Sequence, residues 1–198
     1  MHKVPVAICT DGVFPQFVGG AQRHTRLLVE HLARYDDLDI TVLHQHPEKV
    51  FAATPGVREL TVPTYRSGIQ YLFDCYGYSR NMLAALGTLP PETIVYGQCL
   101  AVWSGVKGLR HRFVFNPHGL EPFQSIGWEA TVKLTPMRKA HDWLFWNARH
   151  IVSLGGRLTD IINRRKHPAA AVHVLPNAVA LPPEPAEKAF APPIRLLF

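Results

Sequence analysis

Cysteine is scarce in this chain. Cys9, Cys75 and Cys99 are the only three in 198 residues, odd in number, far apart and with no Cys-x-x-Cys pair. That argues against a disulfide scaffold or a zinc knuckle and leads us to expect reduced thiols in a cytoplasmic protein. Charge is also sparse, 18% of residues against 47% apolar, which excludes intrinsic disorder and supplies a sizeable core. The apolar residues never gather into the roughly 18-residue run of a membrane span. Met1-His2-Lys3 and the short apolar stretch after it lack the long hydrophobic region and small-residue cleavage site of a signal peptide. There is no internal repeat. There is also no Gly-x-Gly-x-x-Gly fingerprint: Gly12 and Gly19 are too far apart and no acidic residue closes the second strand, so a nicotinamide dinucleotide is not expected.

What charge there is leans one way, to a net +6. An excess of this sign suits phosphates, nucleotides or an acidic lipid surface. Apart from Arg164-Arg165-Lys166 the cations are scattered, and no nucleic-acid-binding module accompanies them. Nucleic acid is not expected as a partner.

Along the chain short apolar runs alternate with helical segments. Strands are predicted at Val4 to Thr10, Ile40 to His44, Leu60 to Val62, Thr93 to Tyr96, Phe113 to Phe115, Ile151 to Leu154 and Val172 to Leu175. Helices are predicted at about Ala21 to Tyr35, Gln70 to Leu86, Pro136 to Asn147 and Leu158 to Arg165. Such alternation predicts an α/β fold with a doubly wound, Rossmann-like parallel sheet covered by helices on both faces. In the first helix, Arg26, Glu30 and Arg34 have the spacing of an ion-pair ladder. Ala21, Leu28 and Leu32, with Leu27 beside them, are expected to face the sheet. Residues 1–180 are read as one domain and 181–193, rich in proline and alanine, as a linker. The apolar run 194–198 is read as the first strand of a second domain, which makes the chain the first half of a two-domain protein.

Chemistry is concentrated at the first strand-to-helix turn. In a parallel sheet, ligands gather beyond the carboxyl ends of the strands, and a helix N-terminus there offers free N–H groups to an anion. Gly19 and Gly20 precede the helix and let a ligand approach the backbone, although a Gly-Gly pair also serves simply to turn the chain tightly. His44 and His46 stand at a strand end in His-x-His spacing, without a third ligand, so no metal site is expected. His24 and His31 are read as surface or semi-buried residues of the first helix.

Phe14-Pro15 followed by Gly19-Gly20-Ala21-Gln22 resembles the opening of a glycosyltransferase family 4 enzyme. Three later segments agree in order: Asn116-Pro117-His118-Gly119-Leu120-Glu121-Pro122, Ile151-Val152-Ser153-Leu154 and Val174-Leu175-Pro176-Asn177-Ala178-Val179. Two positions depart from the family pattern. Ala178 stands where glycine is usual, and Tyr96-Gly97-Gln98-Cys99 replaces a histidine-containing segment. The resemblance implies the N-terminal half of a retaining GT-B enzyme, a hexosyltransferase in polysaccharide biosynthesis. Such an enzyme moves a sugar from a nucleotide-sugar donor to a glycan or lipid-linked acceptor, with no cofactor and no metal. It implies that Gly19 and Gly20 meet the donor diphosphate and that His118 is catalytic, although a histidine there can also be structural. It implies that Gln98, Trp103 and Gly119 lie on the acceptor side, the first two in a loop, with packing as the plainer reading of Trp103. Glu121 is read as a helix-start carboxylate.

In such a family the paired glutamates that hold the donor belong to the second domain, so the 198-residue chain is expected to be inactive alone. The alternatives are a non-catalytic sugar- or phosphate-binding domain and a nucleotide-sugar 2-epimerase of the same architecture. Lys133 to Arg149 mixes basic residues with Trp143, Phe145 and Trp146, which suits peripheral contact with the inner face of a membrane. In the same segment Met137, Ala140, Leu144 and Ala148 make an ordinary core stripe.

Overall fold

The structure is a computed structural model that describes residues 3–67 and 70–177. The expected linker and second-domain strand, at 181–193 and 194–198, and Ala178 lie outside the described residues.

Seven strands form one parallel sheet: β1 (Val4–Cys9), β2 (Leu38–His44), β3 (Val57–Thr61), β4 (Ile94–Gln98), β5 (Phe113–Asn116), β6 (His150–Ser153) and β7 (Ala171–Val174), in the spatial order β3-β2-β1-β4-β5-β6-β7. Six helices connect them: α1 (Gly20–Leu32), α2 (Tyr71–Leu86), α3 (Val106–Leu109), α4 (Trp128–Lys133), α5 (Thr135–Asn147) and α6 (Arg157–Arg165). A 3₁₀ turn at Glu121–Phe123 precedes α4. The strand order reverses between β1 and β4, so the loops leaving these two strands diverge and open a crevice at their carboxyl ends.

Alternation along β1 explains the two-faced core. Ala7 and Cys9 pack with Tyr78, Met82 and Leu86 of α2, whereas Ile8 packs with Val29 of α1 and with Ile40 and Val42 of β2. Successive strand residues point to opposite faces, so a strand covered on both sides must be apolar nearly throughout. The edge strands β3 and β7 are only partly covered.

The inward face of α1 differs from the expected stripe. Thr25 and Val29 are buried, while Leu27 is 48% exposed. Thr25 tolerates burial because its hydroxyl lies 2.8 Å from the Ala21 carbonyl, inside its own helix. Of the expected ladder, the Arg26–Glu30 rung forms at 2.8 Å. Arg26 also donates to the carbonyl of Phe14, and the Arg23 guanidinium lies 4.8 Å from the centre of the Phe14 ring, so the loop before α1 is pinned to the helix. The core stripe of α5 is as expected, with Ala140, Leu144 and Ala148 buried.

Candidate functional site

A cleft of about 670 Å³ lies at the carboxyl ends of the strands, at the switch between β1 and β4. Its size is ordinary for a small-molecule site. Gly20 contributes from the start of α1, Cys99 from the end of β4, His118 and Gly119 from the end of β5, Met137 from α5 and Asn177 from beyond β7. A second depression, between Phe123 and the arginines of α6, contains no unpartnered buried polar side chain.

Two residues on this cleft have unusual backbones. Cys99 (φ 49°) and His118 (φ 56°) are the non-glycine residues with positive φ among those described. Left-handed backbone costs an L-residue roughly 1–2 kcal/mol, and strain of this kind collects at functional sites. Both conformations are supported locally. The Cys99 N–H donates to the Asn116 carbonyl at 2.9 Å, and the His118 N–H donates to Asn116 Oδ1 at 2.9 Å. The Asn116 side-chain amide in turn donates to the Tyr96 hydroxyl at 2.7 Å, so one buried asparagine fixes the turn that presents His118.

His118 is 7% exposed, and its Nε2 is buried with no hydrogen-bond partner. A buried polar atom left unpaired is costly, and in a cleft it points to a ligand group that completes it. Burial, with the nearby imidazole of His24 adding to it, holds the His118 pKa down to about 4. The ring is therefore neutral at physiological pH and carries one N–H and one lone pair.

Gly20 has space where a side chain would be: a Cβ built on it meets no atom within 4 Å, and its φ is not in the left-handed region. Neither turn geometry nor packing calls for glycine there. At Gly19 a Cβ would meet the end of the Gln22 side chain, which turns instead to donate to Asp11 Oδ1 at 3.3 Å. The first turn of α1 contains no acidic residue and has no side-chain cap, so the positive end of its dipole is not neutralised by its own sequence.

The remaining candidates are placed differently. Gln98 is not in a loop: it closes β4, is 1% exposed, and its amide lies 2.5 Å from the Thr25 hydroxyl. That hydroxyl has one hydrogen, which the Ala21 carbonyl also competes for, so Gln98 acts as a brace between β4 and α1. Trp103 lies edge-on to Tyr76 at 5.2 Å, and the backbone N–H groups of Trp103 and Ser104 donate to the buried Ser79 hydroxyl of α2, each at 2.6 Å. It packs on the flank and does not line the cleft. Gly119 does line it, and a Cβ there would strike the Glu121 carboxylate.

His44 and His46 have structural partners. His44 Nε2 lies 2.9 Å from Glu59 Oε2, and His46 Nε2 accepts the Val13 N–H at 2.9 Å. No cluster of three or more metal-ligating side chains occurs among the described residues.

His24 is the residue that sequence reasoning missed. Its ring meets His118 edge-on, with centroids 4.9 Å apart, and Asn177 lies near enough to influence its titration. The signal was available only as position: His24 stands one helical turn after Gly20, on the same face.

Residues 18–181 match the sequence model of the family described as Glycosyltransferase Family 4. The chain belongs to that family, and its sheet is the Rossmann-like half of a GT-B architecture. No curated protein matches the sequence. Among the described residues no helix is long and apolar enough to cross a membrane.

Proposed function

We propose that this chain is the acceptor-side domain of a retaining hexosyltransferase, acting at the cytoplasmic face of a membrane in polysaccharide synthesis. The observation that carries the reading is the unpartnered, buried Nε2 of His118, held by a left-handed backbone beside the open Gly20. A nucleotide-sugar diphosphate approaches the N–H groups at Gly19 and Gly20, where no side chain intervenes and the α1 dipole favours negative charge. As the bond from the anomeric carbon to the diphosphate breaks, charge grows on the leaving oxygens, and donors already in place need not reorganise to meet it. Neutral His118 gives its hydrogen bond to the sugar or to the acceptor hydroxyl. Gly119 lines the acceptor side of the cleft.

In this reading residues 1–180 are one domain, 181–193 are a linker and 194–198 open a donor-binding domain that supplies the sugar-holding glutamates. The 198-residue chain alone then has one wall of the cleft and transfers no sugar. A lipid-linked acceptor is favoured by Ile126 and Trp128, which are 95% and 75% exposed just before and at the start of α4, the helix that ends at Lys133. Exposed apolar side chains on a helix of this kind suit a lipid surface.

The test is transfer from a panel of nucleotide sugars to glycan and lipid-linked acceptors, assayed with the whole natural polypeptide and with the 198-residue chain. Transfer by the first and none by the second is expected. Turnover by the short chain would overturn the division of labour. Binding without transfer by the whole polypeptide would favour the sugar-binding reading instead.

A further inference from the structure

The cleft explains His118 but not the side chain behind it. His24 projects from α1 one turn after Gly20. It is half-buried, does not line the cleft, and has a buried Nε2 with no partner. A polar ring in such a place has to be accounted for. Its ring contact is the edge-to-face approach to His118 at 4.9 Å, and Asn177 lies near enough to influence its titration. It therefore joins three segments that meet only here: the start of α1, the turn after β5 and the chain beyond β7.

We propose that His24 is a positioning residue: its ring, set edge-on against His118, fixes the orientation of the cleft imidazole and ties it to the helix turn that presents Gly20. His118 has few other means of orientation. Asn116 holds its backbone N–H, but its buried Nε2 has no hydrogen bond within the protein. An imidazole without a hydrogen bond on its buried nitrogen is oriented by packing alone, and a wrong rotamer misplaces that nitrogen. The edge contact with His24 restricts that turning. Because Gly20 and His24 share one face of one helix, the anion-facing backbone and the imidazole are set in register by a single rigid turn.

This inference rests on the transferase reading only for its consequence in turnover; the contact itself is testable without substrate. In the ¹⁵N-labelled 198-residue chain, His24→Ala is expected to change the chemical shifts and tautomer balance of the His118 ring nitrogens. It should also move the His118 titration upward, towards the ordinary histidine range. His24→Phe, which keeps a flat ring at that place, should restore the wild-type ring shifts, and His24→Asn should not. In the whole polypeptide, His24→Ala is expected to lower kcat about 10-fold with little change in donor KM or melting temperature, and His24→Phe to recover most of the loss. His118 signals that are identical in wild type and His24→Ala would overturn the proposal, whatever the activity. So would a fall in kcat that follows only a loss of folded protein. Altered His118 signals in a polypeptide that transfers no sugar would leave the positioning contact standing and remove the transferase reading.

Discussion

Cys99 and His118 end neighbouring strands in the same left-handed conformation, and Asn116 holds them both: its carbonyl takes the Cys99 N–H and its side chain takes the His118 N–H. Glycine adopts this backbone without the Cβ penalty, whereas elsewhere it usually destabilises relative to alanine. At position 99 the usual order should invert. Cys99→Gly is expected to be about 1 kcal/mol more stable than Cys99→Ala, as read from denaturant midpoints. Alanine as the more stable of the two would mean that φ is not positive at this residue.

Gly20→Val addresses the open space at the start of α1. No protein atom lies within 4 Å of the new Cβ, so the fold should tolerate it, with a melting temperature close to wild type. In the two-domain enzyme proposed above turnover should collapse, because the side chain fills the approach to the helix N-terminus. Steady-state kinetics beside a thermal melt separates the two effects. Full activity would remove the diphosphate from this turn.

His118→Ala removes the imidazole from the cleft. If it acts as an oxyanion-type donor, kcat should fall roughly 10²–10³-fold, with donor affinity less affected. A purely structural histidine would instead lower the melting temperature and leave kcat per folded molecule unchanged.

Acid should weaken the fold partly through this ring. Unfolded histidine titrates near 6.5, about the ordinary value, and folded His118 near 4. Between those values the unfolded chain binds more protons, so the contribution is complete above the unfolded value and is lost as pH falls towards the folded one. For this group the loss is on the order of 3 kcal/mol. His24, His46 and His141, all lowered chiefly by burial, act in the same direction. His118→Gln should make denaturant stability fall less steeply between pH 6.5 and 4. An unchanged slope would show that the ring titrates normally.

Glu59 anchors the segment after β2. It accepts from the Val50 N–H at 2.7 Å and the Phe51 N–H at 3.1 Å, besides facing His44 at 2.9 Å. Glu59→Ala leaves these buried groups unpaired and should cost about 3 kcal/mol in a denaturant titration. A loss below about 1 kcal/mol would mean that water replaces the carboxylate.

The strands and long helices were legible because burial on two faces forces apolar runs, and because helical segments such as α5 separate those runs. The glycine turn and the Pro-His-Gly segment were legible as local motifs. Other features depended on partners distant in sequence. The burial of Thr25 follows from Ala21 and Gln98, and polarity alone argued for the opposite. Gln98 looked like a loop residue because a glutamine at a strand end has no apolar signature. The short helices α3 and α4 span four and six residues, too few for a period to register. The edge contact between His24 and His118 joins α1 to the turn after β5, and no local pattern encodes it.

The reversal of strand order also bears on how the chain folds. The pairing of β1 with β4, Val6 beside Ile94, joins residues farther apart in sequence than any other strand pair in the sheet. Closing so long a loop costs entropy before any contact repays it, which makes this the pairing expected to form late. The β1–β2–β3 block and the β4–β7 block would then collapse separately and meet along this seam. The cleft lies at its carboxyl end, so the binding surface comes into being only when the two blocks dock. Substitutions at Thr25 or Gln98, which bridge the seam, should therefore slow folding as well as disturb the cleft.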